Sequence, residues 1–167
     1  MAIVSKAILK SYFNKGDKPT EQQFVDLIDT FGAGGELRSV EFTLTTAQIL
    51  ASFTTPVEII ANPGTTSYIE IVGGSAFLDY NSATYATQKS CILLPTSETN
   101  LNNAGWNVGA TSSFLFSTAD ARCYLEKETG AQQILTNTGV SFTTRTANPT
   151  VGDSPLTLYV LYRIITP

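Results

Sequence analysis

Hydrophobic positions change their period once along this chain, close to residue 35. Before it, apolar residues recur at helical spacing. From Ser5 to Phe13, Ile8, Leu9, Tyr12 and Phe13 form a narrow stripe that Gly16 can close. Pro19-Thr20-Glu21-Gln22-Gln23 then contains a Thr-x-x-Gln capping box, which satisfies free N–H groups at a helix start. Phe24, Leu27, Ile28 and Phe31 follow at i, i+3, i+4 and i+7, with Glu21, Asp26 and Asp29 opposite. Gly32-Ala33-Gly34-Gly35 ends this second helix. Helices this short are marginal alone, so the aromatic stripe needs a cover from the rest of the chain, a sister subunit or another protein.

Beyond Gly35 the period is two. Val40, Phe42 and Leu44 alternate with polar residues. Val57–Ile60 and Tyr68–Val72 read as strands, the second broken by Gly73-Gly74. Further strands are expected at Ala76–Tyr80, Lys89–Leu94, Trp106–Val108, Ser113–Phe116, Cys123–Lys127, Gly139–Arg145 and Leu156–Ile165. Turn residues punctuate them roughly every ten positions. The pattern predicts a mainly β protein: an antiparallel β-sandwich, jelly-roll-like, with a short N-terminal helical pair. Residues 1–35 form the helical segment and 36–167 the β-domain. The last strand is apolar on both faces, which predicts a central position or a neighbour over it.

Composition sharpens this picture. Only 14% of residues are charged, and 24 Thr and 14 Ser fill surface that Lys and Glu normally occupy. The net charge is −4 and no two Lys or Arg are adjacent, so nucleic acid is not an expected partner. Neither a signal-peptide core nor an apolar run of about 20 residues is present, so no membrane insertion is expected. Cys91 and Cys123 read as two buried thiols, with a disulfide left open.

The inventory for catalysis is poor. There is no histidine, which removes the common general base and the common metal ligand. Glu126 with Glu128 on one strand face, or Glu58 with Glu70 across a hairpin, could form a carboxylate pair, but solvated strand residues explain them better. Asp79-Tyr80-Asn81 reads as a turn rather than a calcium loop. No enzyme activity, cofactor or metal is expected. Tyr80, Tyr85 and Trp106 lie in or beside Asn/Ser/Thr-rich loops, where aromatic rings could stack on a host surface glycan.

Tyr12-Phe13-Asn14-Lys15-Gly16-Asp17-Lys18-Pro19-Thr20, continuing through Gln23-Phe24 and Leu27-Ile28-Asp29-Thr30, resembles an N-terminal motif of tailed-bacteriophage virion proteins. Thr30 stands where that motif usually has Ser. Phe42–Leu50, Thr55–Ile60, Pro63-Gly64, Phe77–Tyr80 with Tyr85, and Gly152-Asp153 with Leu156–Ile164 are similar to a β-domain of head-fibre, capsid-decoration and tail-associated proteins. Residues 95–138 match nothing in that pattern. The resemblance implies a structural virion protein, assembled in the host cytoplasm as a homotrimer. Ile8, Tyr12, Phe13, Phe24, Leu27, Ile28 and Phe31 would either attach it to partners such as the major capsid protein or bundle it with its sister subunits. The Asn/aromatic chemistry of the loops around Tyr80–Tyr85 and Asn100–Trp106 supports the alternative, a tail-associated module that binds a host surface glycan.

Overall fold

The computed structural model describes residues 6–13, 18–32, 36–86, 90–98, 105–109, 114–128 and 136–166. Two helices come first, α1 (Lys6–Ser11) and α2 (Glu21–Gly32). The predicted capping box opens α2: the Thr20 backbone N–H donates to Gln23 Oε1 at 2.8 Å, and the Gln23 N–H donates to Thr20 Oγ1 at 3.3 Å.

Eight strands follow: β1 (Arg38–Leu44), β2 (Val57–Ile60), β3 (Tyr68–Leu78), β4 (Cys91–Pro95), β5 (Trp106–Val108), β6 (Ala121–Lys127), β7 (Val140–Thr144) and β8 (Leu156–Ile165). They form one antiparallel sheet in the order β1-β8-β3-β6-β5-β4-β7-β2. Its two end strands approach each other, so the sheet nearly closes on itself. The expected mainly β, antiparallel class is therefore what the chain adopts. β6 turns the corner: Ala121–Tyr124 pair with β3, while Leu125–Lys127 pair with β5. The half-sheet β1-β8-β3-β6 thus joins the half-sheet β5-β4-β7-β2 around a single core.

That core follows from strand alternation. Leu44, Leu156, Leu158 and Leu78 from one half meet Leu93 and Phe142 from the other, all at 1% exposure or less. Burying each such side chain contributes roughly 1.5–3 kcal/mol before the entropy of ordering the chain is subtracted. β8 is central, as its two-faced apolar pattern predicted, with β1 on one side and β3 on the other.

Two expectations need correction, and one element is added. Gly73-Gly74 does not break a strand: β3 runs through it, with a register shift between Ile71 and Gly73 that absorbs one extra residue. Gly74 is required there, because a Cβ would lie 2.3 Å from the Tyr159 carbonyl oxygen and 2.7 Å from Leu125. Phe114–Phe116 is a 3-10 turn, its Phe114 and Leu115 plugged into the core rather than paired in a ladder. A third helix, α3 (Thr46–Ala51), follows β1 directly. Thr45 and Gln48 form its capping box, the same signature that opens α2, and Ile49 points into the core.

Candidate functional site

The helix pair closes on itself through a polar clasp and an aromatic contact. The Tyr12 hydroxyl donates to Asp26 Oδ2 at 3.1 Å, and Gln22 donates to the other oxygen at 2.9 Å. Partial burial and this bond to a carboxylate both raise the Tyr12 phenol above its ordinary pKa. Phe13 and Phe24 meet edge to face, their ring centroids 6.1 Å apart. Leu9 is buried, yet it lies outside the continuous core of the strands. The stripe is only partly used by these contacts. Ile8, Phe13 and Phe24 remain 46–48% exposed, and Val25 and Leu37 add to them. Leu27 is half-buried, while the side chains of Ile28 and Phe31 lie outside the described residues.

The loop aromatics divide. Tyr80 is half-buried; its N–H donates to Asp120 at 3.0 Å and its hydroxyl to the Ser82 carbonyl at 2.9 Å. Asp153 stitches the same loop, accepting from the Ser82 hydroxyl at 2.6 Å and from the backbone N–H groups of Ser82 and Ala83. Those bonds, the Ser82 hydroxyl first, hold its carboxyl below the usual range.

Tyr85 contradicts its expected role. It is 1% exposed, its hydroxyl donates to the Ser154 carbonyl at 2.5 Å, and Gly152 packs against its ring. It cannot present a ring to a glycan. Burial pushes its phenol pKa up, against a smaller opposing pull from a hydrogen bond with Thr46. Trp106 is half-buried against the core, and residues 99–104 lie outside the described set.

The carboxylate pairs fare no better. Glu58 and Glu70 do not share a hairpin, because β2 pairs with β7 while β3 pairs with β8 and β6. Glu126 is exposed, whereas Glu128 lies past the end of β6 in an ion pair with Arg145 at 2.6 Å. Arg145 also donates to Asn107 at 2.9 Å, so that arrangement holds β5 to β7 rather than forming an acid–base pair. Both cysteines are free thiols. Burial pushes Cys91 far up and Cys123 to about 11, so neither is a thiolate near neutral pH.

A surface that loop chemistry did not flag lies on the outer side of β1-β8-β3-β6. Tyr159 and Tyr124 flank Ser75, which pairs with both of them, and a groove of about 380 Å³ runs past Phe77 and Arg122. The Arg122 guanidinium lies 4.8 Å over the Phe77 ring. Tyr124 is 79% exposed, with Tyr159, Leu161 and Val72 also open to solvent.

No protein-family model and no curated protein matches this chain. Among solved structures, the cyanophage Pam1 capsid asymmetric unit is similar over 77% of this chain and 85% of that one, at 17% identity and a TM-score of 0.39. That overlap is too loose to carry a functional statement.

Among the described residues, no three His, Cys, Asp or Glu side chains converge as metal ligands, and no helix is long and apolar enough to cross a membrane. Sequence reading found the helical stripe because its period is local. It missed the Tyr124–Ser75–Tyr159 face as a site, although the two-faced apolar pattern of Leu156–Ile165 was the signal for it.

Proposed function

We propose that this protein is a non-enzymatic structural component of a bacteriophage particle, a head fibre or capsid decoration protein attached through its N-terminal helix pair. The observation that supports this reading is a helical hairpin that uses Tyr12 and Asp26 to hold its shape while Phe13, Phe24 and Val25 stay 41–48% exposed. Apolar side chains in that number on so small an element need a partner. The resemblance of Tyr12–Thr30 to the virion motif supplies the identity of that partner, another protein of the particle such as the major capsid protein. The same resemblance makes the assembled form a homotrimer, and the charge-poor, Thr-rich β-domain suits a module surrounded by neighbours.

The test is reattachment. Particles stripped of this protein are incubated with the full chain, or with the full chain carrying Ile8→Asp and Val25→Asp, and pelleted. Both residues are exposed, so the variant should fold normally yet fail to pellet with the particles. Equal recovery of the two proteins would refute attachment through the helix pair.

A further inference from the structure

We propose that the outer face of β1-β8-β3-β6 is a two-fold docking surface for a second copy of this chain. The argument begins with alternation. Leu156, Leu158 and Val160 are buried, so Thr157, Tyr159, Leu161 and Arg163 project from the opposite side of β8. On β3 the corresponding outward set is Phe77, Ser75, Gly73 and Glu70, with the extra residue Val72 returning Glu70 to this face.

The rungs between these strands are Thr157–Phe77, Tyr159–Ser75, Leu161–Gly73 and Arg163–Glu70. The first three each oppose a large side chain to a small one, and the fourth opposes a cation to an anion. A two-fold axis running along the strands between β8 and β3 lays each residue of one copy over its rung partner in the other. Tyr159 then enters the gap above Ser75. Leu161 covers Gly73, whose Cβ direction meets no atom within 4 Å. Phe77 covers Thr157, and Arg163 meets Glu70. Each contact occurs twice, as an isologous interface requires. The same operation sets Glu41, outward on β1, against the β6 edge that carries Arg122 and Tyr124. The two sheets stack with strands aligned, a usual sheet-on-sheet geometry.

This complementarity is internal to one face, which is why a second copy fits it better than an unrelated partner. Among the described residues, the outer side of β4 and β7 offers no comparable opening, since Ile92, Leu94, Ser141 and Thr143 are all buried. Four outward positions on each of β8 and β3, three on β1 and two on β6, each about 4.8 by 6.8 Å, give roughly 420 Å² per copy. A standard stable interface takes about 800 Å² per partner. Pairing is therefore weak between free molecules and strengthened wherever copies are held side by side. The proposal uses β-domain residues alone and stands independently of the virion reading.

Sedimentation equilibrium of the full chain from about 10 μM to about 1 mM tests it. The weight-average mass should rise with concentration, toward twice its low-concentration value from a monomer and past twice from a trimer, which carries three such faces. Ser75→Arg and, separately, Leu161→Arg should hold the mass at its starting value, while Thr55→Arg, on an exposed turn away from the face, should not. Leu161 is already 41% exposed, so its variant keeps the test valid if Ser75→Arg fails to fold. Glu70→Arg should weaken pairing about tenfold, and adding Arg163→Glu should restore it. A mass that stays flat to about 1 mM assigns the face to another occupant and overturns the proposal. A rise unaffected by both Ser75→Arg and Leu161→Arg overturns it equally.

Discussion

Replacing Tyr85 with phenylalanine removes one oxygen atom and leaves the ring between Gly152 and the core. The loss falls on the Ser154 carbonyl, which accepts the phenol at 2.5 Å and belongs to a residue only 1% exposed. Water cannot replace the donor without opening the Ala83–Asp153 loop contact, where the Asp153 N–H reaches the Ala83 carbonyl at 3.3 Å. An unsatisfied buried carbonyl costs about 1–3 kcal/mol, so Tyr85→Phe should destabilise the protein by about 2 kcal/mol. In a domain of this size that lowers Tm by about 4–8 °C. Equilibrium urea unfolding is the assay, read as a lower midpoint with an unchanged slope. A ring displayed for ligand stacking would lose under about 0.5 kcal/mol on the same change. A midpoint equivalent to less than that loss would refute the account of Tyr85 as a buried strut.

Adjacent glycines in β3 should respond oppositely. Gly74→Ala drives a Cβ into the Tyr159 carbonyl and Leu125 and should cost about 1–3 kcal/mol, whereas Gly73→Ala meets open space and should stay within about 0.5 kcal/mol; paired melting curves check this. Glu128→Gln should cost about 1 kcal/mol by urea unfolding, because Arg145 keeps Asn107 and the pair is partly solvated. Cys123 has its pKa raised to about 11 from an ordinary 9.0. Its contribution to stability is therefore complete below the ordinary value and is lost as pH rises through about 11. Cys123→Ser should flatten that alkaline decline in a series of melts.

Legibility in the sequence tracked how local each signal was. Leu156–Ile165 is readable to the residue, because ten β-favouring positions run without a Gly or Pro. The Thr20–Gln23 box located α2 for the same reason. An identical box at Thr45–Gln48 is harder to place because Thr46–Ala51 is one short helix directly after a strand, with only Ile49 and Leu50 turned to the core. Gly73-Gly74 read as a break because glycine weakens strands, yet the close approach of β8 demands Gly74. Tyr85 read as an exposed loop ring because its flanks are polar. Only the fold reveals that Gly152 and Ser154, nearly 70 positions later, enclose it. Strand pairing was the least accessible feature. β2 joins β7, and β3 joins β8 and β6, so the Glu58–Glu70 hairpin expected from chain order does not exist.

The proposed structural role is tested most directly by quantitative mass spectrometry of purified phage particles whose genome carries this sequence. The account predicts peptides from both the helical segment and the β-domain, at a fixed multiple of three copies per particle. Particles that are complete and infectious yet lack this protein would contradict it.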